Sequence, residues 1–121
     1  MDCSKQETGL IGENISERYL IKEGYKVVER NFRCRLGEID IIARRENCLC
    51  FVEVKTRRGY LFGRPCEAVN YIKQKRICRI AEFYIQKNKL FNFNIRFDVI
   101  EVVLTGEKGY SLRYIKNAFQ T

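Results

Sequence analysis

The sequence contains no histidine, a single proline and no long apolar run. Without histidine there can be no Ser-His or Cys-His nucleophile system and no histidine metal site. Any catalysis must then run on carboxylates, lysine, tyrosine, cysteine or a bound cation. No apolar stretch approaches the roughly 18 residues of a membrane span. The start Met1-Asp2-Cys3-Ser4-Lys5-Gln6 lacks the basic and apolar regions of a signal peptide. These absences predict a cytoplasmic protein with no membrane partner. Acidic residues are in deficit, 15 against 23 Lys and Arg, so the net charge is +8 and points toward a polyanion. The remaining composition, 45% hydrophobic and 31% charged, is that of a globular chain rather than a disordered one. The 121 residues fit one domain over 1–121, long enough to bury somewhat over 60% of its unfolded surface.

The six cysteines, Cys3, Cys34, Cys48, Cys50, Cys66 and Cys78, show no paired CxxC spacing, which in a reducing compartment predicts free thiols. Cys48 and Cys50 alternate along an apolar segment and share a face as small hydrophobes, with a metal clip as the weaker alternative.

Residues 8–24 read as a helix, with Ile11, Ile15 and Tyr19 on one face and Gly24 at its end. Glu13 and Glu17, four apart, repel slightly unless a cation lies near. Three strands follow, Tyr25–Cys34, Gly37–Arg45 and Cys48–Thr56, with gaps so short that they form an antiparallel meander. A loop from Arg57 to Cys66 leads into a second helix whose buried stripe is expected to be Val69, Ile72, Ile77, Ile80, Ala81 and Tyr84. Ile95–Leu104 is almost continuously apolar, as in a strand covered on both faces and paired in parallel, and Tyr110–Lys116 reads as a last edge strand. The fold class is therefore α/β, in the order αβββαββ, with a mixed central sheet flanked by helices.

The informative residues lie in Gly37-Glu38-Ile39-Asp40-Ile41-Ile42 and Phe51-Val52-Glu53-Val54-Lys55-Thr56. Period-two alternation puts Glu38 with Asp40 and Glu53 with Lys55. If Glu46-Asn47 is a two-residue turn, cross-strand partners have numbers summing to 93, so Asp40 faces Glu53 and Glu38 faces Lys55. Two opposed carboxylates are destabilising unless a cation joins them. Mg²⁺ takes carboxylate oxygens, keeps waters and accepts phosphate. The plain alternative is a solvated polar face with cross-strand ion pairs. Ile42, Leu49 and Phe51 on the same faces argue for partial burial instead.

Asp40 followed by Glu53-Val54-Lys55 on the next strand resembles the D…ExK signature of the PD-(D/E)xK nuclease superfamily, although Ile39 stands where the motif has proline. With Gly12-Glu13, Gly24-Tyr25, Arg30-Asn31-Phe32-Arg33, Lys73-Gln74 and Arg96-Phe97-Asp98-Val99-Ile100 added, nearly the whole chain is similar to the YraN-like family of small bacterial proteins. Its members are called predicted endonucleases because they resemble archaeal Holliday junction resolvases. The resemblance implies a restriction-endonuclease-like fold and Mg²⁺ as cofactor, with Mn²⁺ an alternative. It implies Asp40, Glu53 and the Val54 carbonyl as metal ligands, Lys55 beside the attacking water, and Glu13 completing the acidic, catalytic cluster.

Binding falls to the basic segment. From Lys55 to Arg96 there are 11 basic and 2 acidic residues, 11 − 2 = +9, and the rest of the chain totals 12 − 13 = −1. Arg57, Arg58 and Arg64 in the loop, with Lys73, Gln74, Lys75, Arg76 and Arg79 on the second helix, are the candidate nucleic-acid contacts. A solvated lysine-rich face is the alternative for the helix, and an exposed polar residue for Gln74. The expectation is a metal-dependent endonuclease acting on structured or branched DNA, with DNA ahead of RNA as partner and a homodimer left open. A catalytically silent binding protein on a nuclease fold, or a ribonuclease, are the competing readings.

Overall fold

The structure, a computed structural model, describes residues 5–62 and 69–120. Helix α1 (Lys5–Lys22) is followed by strands β1 (Lys26–Cys34), β2 (Gly37–Arg45) and β3 (Cys48–Arg58). Helix α2 (Tyr71–Asn88) then leads to β4 (Asn94–Thr105) and β5 (Gly109–Phe119). The strands form one sheet in the order β1-β2-β3-β4-β5, antiparallel throughout except for the β3–β4 pair, which is parallel. Five strands between two helices in this order have the architecture of the restriction-endonuclease-like fold. Among the described residues no helix is long and apolar enough to cross a membrane.

Local chemistry sets the element ends. The N–H of Gly24, at φ 94, donates to Ile21 and that of Tyr25 donates to Leu20, a Schellman closure that ends α1. Asn70 caps α2 by accepting the Lys73 N–H at 2.9 Å, and Lys89, left-handed at φ 55, closes the far end. In the β2–β3 turn, Glu46 takes φ 54, so this two-residue hairpin forms without the usual Asn-Gly pair.

Two cores lie on opposite faces of the sheet. On one, α1 contributes Ile15 and Leu20 over Ile41, Ala43, Cys50, Val52, Ile100 and Val102. On the other, Ile77, Ile80, Ala81 and Tyr84 of α2 cover Ile42, Leu49, Phe51, Phe97 and Val99. Ile72 does not join that stripe and is 71% exposed. At 3.6 residues per turn it lies about 140° around the helix from Ile77, pointing away from the sheet. Ile11 likewise sits at the rim of the α1 face while Ile15 is buried. The free thiols expected at Cys34, Cys48, Cys50 and Cys78 are found, whereas Cys3 and Cys66 lie outside the described residues. The Cys48 and Cys50 sulfurs are 3.7 Å apart, and burial pushes the Cys50 thiol up, as suits an inert core residue.

Helix α1 approaches β3 through Gly12. A Cβ there would overlap Thr56 Oγ1 and stand 2.8 Å from Thr56 Cβ. Gly12→Ala is expected to lift α1 off β3 and lower stability by about 1–3 kcal/mol, measurable as a drop in Tm. Gly9→Ala is the control, because a Cβ at that position meets nothing within 4 Å.

Candidate metal centre and nucleic-acid face

The β2–β3 ladder runs from Arg45↔Cys48 to Ile41↔Val52, the register expected from the sequence. At Asp40 the alternation breaks. Ile41 packs on the α1 side but Ile39 packs on the α2 side, though a regular strand would place both on one face. The partner strand breaks at the same rung. Arg30, paired with Ile41, reaches α1, while Phe32, paired with Ile39, lies under α2. Asn31 between them adopts φ 52, and this left-handed residue reverses the facing of its neighbours. Beyond this rung the Asp40 carboxylate itself accepts the Val54 N–H at 2.8 Å.

Four acidic residues gather around this break. One carboxylate oxygen from each of Glu13, Glu38 and Asp40 lies within 4.8 Å of the others. Glu53, nearly fully buried, stands beside Asp40 on the α2 side, with Lys73 Nζ 3.3 Å from its Oε2. Its Oε1 is buried and has no hydrogen-bond partner among the described residues. Burial first, then the Asp40 charge, push the Glu53 carboxyl up to about 8, against the opposing pull of Lys73. Burial likewise raises Asp40, with the Val54 N–H working the other way and the Glu13 charge adding to the rise. The all-oxygen donor set, the crowded anions and the orphan Glu53 oxygen fit a hard divalent cation such as Mg²⁺ or Mn²⁺.

Arg30 holds the helix side of the cluster. Its guanidinium bonds Glu13 at 3.2 Å, Glu17 at 2.9 Å and Asn14 at 2.7 Å, a cation that offsets the slight repulsion of the Glu13–Glu17 spacing. The expected Glu38–Lys55 pairing does not form. Glu38 is the ladder partner of Arg33 and accepts its Nε at 2.7 Å, while Lys55 is exposed and has no ion pair among the described residues. Period-two spacing does place Glu38 with Asp40, as the structure has it, but assigns it Lys55 as partner instead of Arg33. Nothing in the spacing could reveal Lys73 as the partner of Glu53, because the two lie on separate elements.

The basic segment divides in the fold. Arg57 is drawn to the buried Glu101, 3.6 Å away, and Arg113 bonds the other oxygen of that carboxylate. Arg96 is spent on the fully buried Asp98, which also accepts from the Tyr114 hydroxyl and the Asn117 N–H. Gln74 is half-buried and donates to the Val69 carbonyl at 3.0 Å. Arg64 lies outside the described residues. Arg58, Lys75, Arg76 and Arg79 remain exposed. Their exposure, with the last three on the outer side of α2, suits them to meet phosphates.

A restriction-endonuclease-like sheet carrying a carboxylate cluster at a broken rung is the class of protein that fold and site define. Residues 12–102 match the Uncharacterised protein family UPF0102. The chain is 52% identical over 120 residues to a UPF0102 protein of Clostridium botulinum, covering 98% of this chain and 97% of that one. It is 49% identical over 121 residues to a UPF0102 protein of Clostridium kluyveri, covering 99% of each. The chain belongs to the UPF0102 family.

Proposed function

We propose that this protein is a metal-dependent endonuclease of the PD-(D/E)xK type that hydrolyses phosphodiester bonds in structured or branched DNA. The observation that carries the reading is half-buried Asp40 beside buried Glu53, with one orphan Glu53 carboxylate oxygen, next to a helix whose outer side is basic. Asp40 and Glu53, with the Val54 carbonyl and Glu13, would hold the cation; Glu38 adds a carboxylate the sequence pattern did not assign. A bound Mg²⁺ or Mn²⁺ supplies Lewis-acid polarisation of the phosphate and a more acidic water.

The chain's own groups do the rest. The Val54 N–H fixes the Asp40 carboxylate in place, so its second oxygen is preorganised rather than ordered on binding. Arg30 restrains Glu13 from the helix side. Lys55, exposed two residues beyond Glu53, would orient the attacking water or stabilise charge developing on the phosphate. Lys75, Arg76 and Arg79 contact the backbone of the nucleic acid.

The test incubates the protein with single-stranded, duplex, flapped and four-way-junction DNA, and with matched RNA, in Mg²⁺ or Mn²⁺. Lys55→Ala is expected to reduce cleavage by roughly 10²-fold or more while DNA affinity stays within about twofold. If wild type and Lys55→Ala are equally inert while binding persists, the catalytic reading fails and a binding module takes its place. Cleavage confined to the RNA strands would make the protein a ribonuclease.

A further inference from the structure

Helix α2 opens with two side chains that the core does not use. Tyr71 is 68% exposed and Ile72 is 71% exposed, although the helix has a well-filled apolar face elsewhere. With Leu36 of the β1–β2 turn they line a concavity of about 330 Å³, whose other walls are Lys75, Arg76 and Arg79. Among the described residues no carboxylate lines it. The Lys75 ammonium stands 5.3 Å from the Tyr71 ring centre, a cation–π contact that steadies the ring. Arg76 lies across Gly37, at φ 143, where a Cβ would come within 3.3 Å of Arg76 Cδ, so the bare turn lets the arginine stem form the floor.

A duplex backbone asks only for cations, and it leaves an exposed tyrosine and isoleucine unexplained. An unpaired nucleotide asks for both kinds of group, because its base offers a π-face and apolar edges while its phosphates offer charge. A second copy of this chain suits the surface poorly, since a symmetric contact through this patch would bring three cations against the same three. Lys73, one residue after Ile72, touches Glu53, so the first turn of α2 contributes both to the concavity and to the acidic site.

We propose that the concavity formed by Leu36, Tyr71, Ile72, Lys75, Arg76 and Arg79 binds an unpaired nucleotide of the nucleic-acid substrate. The protein thereby selects DNA in which single strand and duplex meet. The inference rests on the nucleic-acid part of the proposed function and needs no catalysis.

The experiment measures fluorescence anisotropy of labelled oligothymidylate, and separately of a blunt duplex, in EDTA. Tyr71→Ala and Ile72→Ser are each expected to weaken oligothymidylate binding by about fivefold or more, the lower end of what loss of one base stack gives. Duplex binding should change less than twofold. Arg76→Ala should weaken both, and Tyr71→Phe should keep single-strand binding near wild type because the ring remains. The proposal is overturned if Tyr71→Ala and Ile72→Ser leave single-strand affinity unchanged, or weaken single strand and duplex alike. It is also overturned if they convert a dimer to a monomer in sedimentation, which would make the patch a self-association surface. The assay contains no divalent ion, so an inert enzyme with intact single-strand selectivity would sink the nuclease reading alone.

Discussion

Asp40→Asn is expected to abolish cleavage and leave the fold intact, whereas Asp40→Ala should abolish cleavage and melt earlier than the asparagine variant. Both substitutions remove a charge from a crowded anionic pair, so both relieve the repulsion that raises Glu53. They differ in one bond. An asparagine side-chain carbonyl at this position still accepts the Val54 N–H that Asp40 accepts at 2.8 Å, and the alanine cannot. An unpaired, part-buried N–H costs about 1–3 kcal/mol, which for a domain of this size separates the two melting temperatures by roughly 4–12 °C. On the proposed mechanism turnover in both should fall by roughly 10³-fold, effectively to background, because each would lose a fixed anionic ligand where transition-state charge is balanced. Thermal melts alongside single-turnover cleavage separate the structural part of Asp40 from the chemical part. Equal melting temperatures would mean that the Val54 bond contributes nothing.

Glu53→Gln is expected to melt above wild type in alkaline solution and to lose that advantage in acid. The folded carboxyl is raised to about 8 from an ordinary 4.5. Below pH 4.5 both folded and unfolded chains hold the proton and the group is neutral to stability. Between 4.5 and 8 the folded chain holds a proton that the unfolded chain has released, so each rise in pH destabilises the fold. Above 8 the penalty is constant, on the order of a few kcal/mol. Asp40, raised for the same reason, adds a slope of the same sign. Glutamine removes the Glu53 contribution, so the difference in Tm should grow with pH up to about 8 and then level off. A constant offset from pH 5 to 9 would contradict a raised Glu53. A divalent cation should release protons on binding to wild type near neutral pH, with calorimetry in two buffers counting them.

The strands are legible in the sequence because their residues alternate or run apolar between glycines and short polar turns. The 93-sum register follows from a two-residue gap and holds from Arg45↔Cys48 to Ile41↔Val52. The adjacency of Asp40 to Glu53 is legible for the same reason. The broken rung is not. It depends on Asn31 taking a left-handed conformation, which asparagine tolerates but nothing in the neighbouring residues demands. Ile72 is misleading because its apolar side chain looks like part of the α2 stripe, and only the phase fixed by Ile77 to Tyr84 shows it pointing outward. The inward turn of Arg57 toward Glu101 is hidden too, since Glu101 sits in a run of apolar residues on another strand. Long-range ion pairs leave no mark in local spacing.

The parallel seam between β3 and β4 has a consequence for assembly. It joins Cys48 to Asn94, positions 94 − 48 = 46 apart, whereas every other strand pair is contiguous in the chain. Glu13, Glu38, Asp40 and Glu53 all precede the crossover that begins where β3 ends at Arg58, and Lys73 lies within that crossover. Local pairings of the meander carry little loop-closure entropy and close first, while the seam raises the contact order and closes late. In the meander itself Arg30 pairs with Glu13 and Arg33 with Glu38, while the ion-pair partner of Glu53 comes later in the chain. Lys73 reaches Glu53 only once α2 has docked on the sheet.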